Sequence, residues 1–396
     1  MIYDVIIIGS GPAGSSSAYY LAKNNIKVLI IDKEKLPRYK TCGGGIVRRT
    51  LKNIPFEISP VIESFTYYAE LIDEISGFHF RKKRSEAFIS MTMRKDFDYL
   101  LLNKAVSAGA ETRDNNEVKD ISIKKDYCEI SVNGSLFQSK FIIGADGATG
   151  ITAKKSGWKD NRVLVPALEY EVYVKENLFE KYKNSTRFDL NAVPNGYGWI
   201  FPKKSHLSIG IASMKKANAK NLKNYLSNYL SKLGLTDCLN IEKHGYIIPL
   251  SFRNSYFAKD RVLLTGDAAG FADPLTGEGI SYAVKSGQLA AKAIINGDMD
   301  VRLVSNEYNN LVYRNIVPEL KAARKIAKIF YGPSFIRKTI FTLYGDKFCD
   351  LMIEIISGER NYSEMIKNPR NYFKLLNFKK YRNNKGILED AYTYPQ

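Results

Sequence analysis

The stretch Val5-Ile6-Ile7-Ile8-Gly9-Ser10-Gly11-Pro12-Ala13-Gly14 decides the fold of this chain. Four consecutive β-branched residues read as a short strand buried on both faces, the pattern of a parallel sheet. The residues from Pro12 to Asn24 read as a helix with small residues (Ala13, Gly14, Ser15, Ser17, Ala18) on its early face, and Lys27 to Ile31 reads as a second buried strand. Together they make a βαβ unit. In the GxGxxG turn the first glycine permits the tight bend. The second lets the backbone approach a diphosphate, and the third lets helix and strand pack closely. The helix start offers free N–H groups and a positive dipole end to phosphate. Asp32 closes the second strand about 20 residues on, where a carboxylate meets ribose hydroxyls. The unit predicts a dinucleotide site.

Composition sets the frame around it. The chain has 396 residues, 45% hydrophobic and 25% charged, enough for two or three packed units. No apolar run reaches the roughly 18 residues that span a bilayer, and the start lacks a signal-peptide pattern, so a cytoplasmic protein is expected. Cys42, Cys128, Cys238 and Cys349 are far apart with no CxxC pair, which indicates neither a zinc site nor a disulfide framework. His79, His206 and His244 show no metal-ligand spacing and read as structural or surface residues; no metal is expected. The net charge of +18 favours anionic partners or reflects a lysine-rich solvated surface. No zinc-finger or RNP-type signature supports nucleic acid.

Further elements follow in order. Residues 66–92 alternate as antiparallel strands with exposed edges and include the basic cluster Arg81-Lys82-Lys83-Arg84, which reads as a solvated edge strand and alternatively as a contact for lipid phosphate. Arg94 to Gly109 has helical spacing. Val118 to Gln138 alternates and turns at Asn133-Gly134, and Phe141-Ile142-Ile143 is another buried strand ending in Gly144-Ala145-Asp146-Gly147. From 163 to 250 the pattern is mostly strands with a helix near 217–233. Residues 301–396 are helical, basic and aromatic, which suits an acidic membrane surface or a helical cap over a cavity.

The second half of the chain chooses between nucleotides. The strand Val262-Leu263-Leu264-Thr265 runs into Gly266-Asp267-Ala268-Ala269-Gly270, then Pro274-Leu275-Thr276-Gly277-Glu278-Gly279-Ile280 and a helix. Asp267 offers an acceptor beside backbone that meets a polyhydroxyl chain, and a second helix start points at an electron-rich group. A ribityl chain and a reduced flavin fit these features; NAD would not need them. The expected fold is mixed α/β, with a Rossmann-like FAD-binding domain (1–65, 93–160, 255–300) interleaved with an antiparallel-sheet substrate domain (66–92, 161–254), and a C-terminal helical region (301–396).

The three glycine-containing blocks, in this order, resemble the FAD-dependent superfamily typified by para-hydroxybenzoate hydroxylase. Pro37-Arg38-Tyr39-Lys40-Thr41-Cys42-Gly43-Gly44-Gly45 is similar to the cysteine–glycine loop of geranylgeranyl reductases. Gly196-Tyr197-Gly198-Trp199-Ile200-Phe201-Pro202-Lys203 is similar to their YxWxFP segment, and Arg94 with Phe97-Asp98 and Leu100 fits their helix opening. The matching blocks span about residues 1–290. The resemblance implies reduction of carbon–carbon double bonds in an isoprenoid chain by reduced FAD. It implies that Gly9, Gly11, Pro12, Ala13, Gly14, Asp32, Lys33, Arg38, Arg94, Asp146, Gly266, Asp267, Gly277, Gly279 and Ile280 hold the cofactor. Cys42, Gly43 and Gly44 would face the flavin as the catalytic loop, and Tyr197, Trp199, Phe201 and Pro202 would line the isoprenoid cavity. The superfamily often follows its Asp-Gly with a serine and an arginine; here Gly150 and Ala153 stand in those places, which leaves the reductant open between NAD(P)H and another electron donor, including a donor protein.

Hydride from flavin N5 needs a proton on the other alkene carbon. Cys42 is a candidate donor, or else a small residue shaping the pocket. The expected partners are a prenyl lipid and an anionic membrane surface, met peripherally at the inner face of the membrane. Rival readings are a flavin monooxygenase or halogenase on the same scaffold and a non-catalytic flavin electron carrier.

Overall fold

The computed structural model describes residues 2–254 and 256–367. The N-terminal strand Ile2–Ile8 lies at the centre of the first sheet, paired in parallel with Ser135–Gly144 on one side and Val28–Ile31 on the other. Glu111–Arg113 and Val262–Leu264 extend it in parallel, and Ala258–Lys259 closes one edge. Val5, Ile6, Ile7, Leu29, Ile30, Ile142, Ile143 and Leu263 are wholly buried, as apolar runs covered on both faces require. The helices Pro12–Lys23 and Ile280–Asn296 pack on one face of the sheet and on each other, with Arg94–Ser107 beside them. The expected hairpin turns at Asn133-Gly134, both at positive φ, between Cys128–Val132 and Ser135–Gly144.

The second sheet has the strand order Asn240–Pro249, Leu164–Tyr173, Leu207–Ser213, Gly196–Pro202, Ser185–Leu190, Tyr68–Asp73, Phe78–Lys83. Its pairs are antiparallel except Ser185–Leu190 with Tyr68–Asp73. One face packs on the helix Leu222–Lys232 through Leu226, Tyr229 and Ile209. The other face meets the C-terminal helices Val317–Phe330 and Ser334–Ile356 through Tyr197, Ala323, Tyr331 and Phe341. A small sheet of Gly45–Val47, Ile89–Thr92 and Ile62–Thr66 bridges the two larger ones.

The basic cluster does fall on the edge strand, yet two of its cations are paired. Lys82 binds Asp350, and Arg84 binds Glu359 at 2.7 Å, both on the C-terminal helical segment, while Arg81 lies over the Tyr68 ring. Arg337, within the basic and aromatic C-terminal region, is buried: Nε donates to Asp73 Oδ2 at 2.9 Å and Nη2 to Asn191 Oδ1 at 2.8 Å, pinning its helix to the sheet. The expected helical region beyond residue 367 lies outside the described residues. No helix among the described residues is long and apolar enough to cross a membrane.

Candidate functional site

The glycine turn is closed by contacts that only glycine allows. Gly9 sits at φ +102, and a Cβ there would lie 2.4 Å from Ala145 O; a Cβ on Gly14 would lie 1.9 Å from Gly9 O. Gly11 is different: a Cβ would meet only Arg38 Nη2, at 3.6 Å, so its outer face is open. Asp32 is buried, and its carboxylate serves the turn itself. Ser10 N–H and Oγ–H donate to Oδ2 at 2.8 and 2.6 Å, and Glu34 N–H donates to Oδ1 at 3.0 Å. Lys33 is exposed and paired with Glu34.

Beyond the carboxyl ends of the parallel strands lies a cluster of charges. Arg94 grips Asp98 with two hydrogen bonds of 2.8 and 2.9 Å. Arg38 Nη1 lies 3.3 Å from Asp98 Oδ2 and is buried without a hydrogen-bond partner. Lys40 Nζ stands 3.0 Å over the Tyr246 ring with one long contact, 3.4 Å to Thr41 O. Burial, followed by repulsion from Arg94, pushes Lys40 down to about 8. Asp267 is held above the ordinary carboxylate range by burial, although Lys40, Arg94 and Arg162 pull the other way. Its side chain accepts no hydrogen bond among the described residues, and its backbone O accepts from Arg162 Nη1 at 2.6 Å. These groups fit FAD: an open glycine at a helix start, an orphaned guanidinium nitrogen and an unpaired lysine suit a diphosphate, and a carboxylate without a partner suits hydroxyls.

Asp146 belongs to the frame of this site. Its Oδ2 accepts from Thr152 N–H and Oγ1–H, each at 2.8 Å. A Cβ on Gly150 would lie 2.0 Å from the Asp146 carboxyl carbon. The glycine that departs from the superfamily pattern is thus required by this carboxylate.

The loop Cys42–Gly45 packs on the aromatic strand. Cys42 Sγ accepts from Gly44 N–H at 3.4 Å, and a Cβ on Gly43 would lie 2.8 Å from the Phe201 ring and 3.0 Å from Trp199 Nε1. Side chains two apart on a strand share a face, so Tyr197, Trp199 and Phe201 point one way and Pro202 the other; Pro202 O accepts from Ser64. An apolar cavity of about 90 Å³ lies between this sheet and the C-terminal helices, lined among others by Tyr197, Leu275, Phe330, Phe348, Cys349 and Met352. Of the four residues expected to line it, Tyr197 does so, while Trp199 and Phe201 stand between cavity and loop. Tyr197 O–H donates to Thr276 O at 2.5 Å, and a Cβ on Gly277, at φ +71, would lie 2.8 Å from the same hydroxyl. The cavity therefore abuts the turn Gly277–Gly279 and the start of helix Ile280–Asn296.

Sequence reasoning assigned no role to Lys40, Arg162, Glu169, Glu171 or Lys203. Lys40 and Lys203 each sit inside a quoted motif, and that position was the available signal. Glu169 and Glu171 alternate along a strand, which ordinarily marks a solvent face.

The FAD binding domain family matches residues 2–296. An uncharacterized protein of Methanosarcina barkeri is 38% identical over 341 residues, covering 83% of this chain and 84% of that one. Digeranylgeranylglycerophospholipid reductase 3 of Methanosphaera stadtmanae is 30% identical, covering 84% and 87%. Among solved structures, a geranylgeranyl bacteriochlorophyll reductase-like protein from Thermoplasma acidophilum superposes with a TM-score of 0.75 at 23% identity, covering 95% and 96%.

Proposed function

We propose that this chain, which belongs to the geranylgeranyl reductase family of FAD-dependent oxidoreductases, saturates carbon–carbon double bonds of an isoprenoid chain carried on a polar lipid or prenyl precursor. One observation carries the reading: an apolar cavity abuts the Gly277–Gly279 turn through the Tyr197–Thr276 hydrogen bond. FAD, when bound, supplies the hydride.

The protein's part is binding, orientation and exclusion of water. Gly9–Gly14 and the helix start at Pro12 receive the diphosphate, with Arg38, Lys40 and Arg94 supplying positive charge. The Ile280 helix start, whose cap residue Gly279 has no side chain, aims its dipole at the turn beside the cavity and favours negative charge there. Leu275, Phe330, Phe348 and Met352 hold an alkene in a dry site. Cys42, on the loop that Trp199 and Phe201 back, is our candidate to hold the proton for the second carbon.

The helices that roof the cavity support a reading of membrane access. Phe335 and Leu343 are 70% and 55% exposed on one helix and Ile329 49% on its neighbour, with the exposed Lys325, Lys328 and Lys338 nearby. Apolar tips among cations suit an anionic bilayer surface. Flotation with anionic liposomes at low salt is expected to carry the protein and to fail for Phe335→Ser/Leu343→Ser; an unbound wild type would sink this part of the reading.

The reaction is tested by incubating dithionite-reduced holoenzyme anaerobically with prenyl lipids. Mass gains in steps of two hydrogens are expected. Product formation only with oxygen would favour the monooxygenase, and fast flavin redox chemistry without any mass gain would favour the carrier. Stopped-flow reduction by NADH, NADPH or a carrier protein identifies the donor.

A further inference from the structure

The loop that bears Cys42 is tied at both ends to a buried polar cluster that neither the cofactor site nor the cavity uses. At one end, Tyr39 reaches Glu169 Oε2 at 2.9 Å and Glu171 Oε1 at 3.2 Å. At the other, Lys203 Nζ donates to Gly43 O at 2.6 Å and to Thr92 O at 2.8 Å, and it is 1% exposed. Glu169 and Glu171 are each 1% exposed. Ser208 Oγ–H donates to Glu169 Oε1 at 2.7 Å, and His206 Nε2 lies 3.0 Å from Glu171 Oε2, an ion-pair contact off the hydrogen-bond direction. The Tyr39 ring stacks on His244 and the Tyr173 ring on His206, with Glu242 and Glu63 beyond Tyr173. These groups surround the pair from the loop, the Lys203–His206 turn and four strands.

The geometry counts protons. A phenol has one O–H, so Tyr39 can donate to only one of the two carboxyl groups it touches. The other contact is a hydrogen bond only if that carboxyl carries a proton itself. Two buried carboxylates on one side of a strand also cannot both ionise cheaply. Burial, followed by the charge of Glu171, pushes Glu169 up to about 8. Burial raises Glu171 too, but the close contact with His206 and the charge of Lys203 bring it below its ordinary value. Glu169 is the member that holds the proton near neutrality.

We propose that Tyr39 and Lys203, backed by a Glu169–Glu171 pair sharing one proton, are positioning residues that hold the Cys42–Gly44 loop against the aromatic strand, and that loss of the shared proton loosens the loop. This rests on the reading that the loop serves the reaction, while the anchor can be tested without substrate. A second carboxylate charge beside the phenol oxygen removes the bond that needed the proton and leaves Tyr39 with the single bond its own O–H makes, so the loop is held less tightly at that end.

The test is alkylation of FAD-loaded protein by iodoacetamide from pH 6.5 to 9, read at each cysteine by peptide mass spectrometry and expressed as Cys42 relative to the half-buried Cys238. In wild type the ratio should climb roughly tenfold, the loss of one hydrogen bond. In Glu169→Gln, which keeps a neutral group there, the climb should be absent. In Tyr39→Phe, which keeps the ring stack, the ratio should be high already at pH 6.5. The thiol's own titration is common to all three and cancels in the comparison. A wild-type climb in Glu169→Gln, or a wild-type ratio at pH 6.5 in Tyr39→Phe, overturns the proposal; should Tyr39→Phe fail to fold, Glu169→Gln decides alone. Protein that labels as expected but hydrogenates no prenyl lipid would overturn the reductase reading and leave the anchor standing.

Discussion

The parallel sheet and the seven-stranded sheet treat buried charge in opposite ways. The central parallel strands bury apolar runs, and the ionisable groups Asp32, Arg38, Lys40, Arg94 and Asp267 gather beyond their carboxyl ends, where Lys40 and Asp267 have no ion-pair partner among the described residues and Arg38 keeps one nitrogen without a hydrogen bond. The antiparallel sheet places Asp73, Glu169, Glu171 and Asp189 within its strands, each closed off by a partner from elsewhere: Arg337, Tyr39, His206 and Tyr229. In the first region unpaired charge is kept for a ligand. In the second it joins separate parts of the chain. Variants in the two regions should therefore fail differently.

The largest effect is expected at Gly14→Val. Its Cβ would lie 1.9 Å from Gly9 O, backbone that has no room to give. The turn must open, and the helix start moves off the diphosphate position. Protein purified from this variant should contain no FAD, shown by the loss of flavin absorbance near 450 nm, and should lose about 5 kcal/mol or more if it folds at all. Retained flavin at wild-type stoichiometry would mean that the turn is not the cofactor cradle. Arg337→Met comes next, in the other region. It strands the Asp73 carboxylate, which is 1% exposed, without its cation. About 3–5 kcal/mol should be lost in urea unfolding, with flavin content unchanged in the fraction that folds. Loss of flavin before loss of structure would erase the distinction between the regions.

This contrast also explains what could be read from the chain alone. The nucleotide half was legible because its signals are local: four apolar residues, a glycine spacing and a second apolar run occupy the first 31 residues. The Asp267 block was legible for the same reason. The second duty of Asp32 was not, since the sequence does not show that the carboxylate expected to meet a ribose also holds Ser10. The Glu169–Glu171 pair was hidden more deeply. Acids at a spacing of two normally mark the wet side of a strand. Here that side is dry because Tyr39 arrives from 130 residues away and Lys203 from the neighbouring turn. Trp199 and Phe201 were expected to line the cavity, but which neighbour packs against their rings is a tertiary fact: Gly43 does.

The pair makes a pH prediction whose sign can be worked out. Glu169 has an ordinary value of 4.5 and is raised to about 8 in the folded chain. Between those limits the folded state binds more protons than the unfolded state. Its contribution to stability is full below about 4.5 and is lost as pH rises through 8. Glu169→Gln carries no titrating proton, so its unfolding free energy should depend less on pH, and at pH 9 it should exceed wild type by about 1–3 kcal/mol. Urea midpoints at pH 6 and pH 9 measure this. Equal differences for the two proteins would show that the pair is not the titrating element.

The smallest effect on stability, and the sharpest test of what the second region is for, comes from filling its cavity. Cys349 lines the space from the helix side and is buried, with no hydrogen-bonding duty among the described residues. Cys349→Phe adds apolar volume to a space of about 90 Å³. A well-packed core would answer overpacking with a loss of 1–3 kcal/mol. A cavity kept for a ligand should answer with a change of about 1 kcal/mol or less. Flavin content should be unchanged, because the cofactor cluster lies beyond Tyr197 and Thr276. The prenyl substrate should bind about tenfold more weakly, or 1.4 kcal/mol, seen as a raised KM with the anaerobic saturation product unaltered. A large loss of stability would assign the space to ordinary packing. Unchanged KM with a folded, flavin-loaded protein would move the isoprenoid out of this cavity and leave the Tyr197 turn as a purely structural contact between the two sheets' domains.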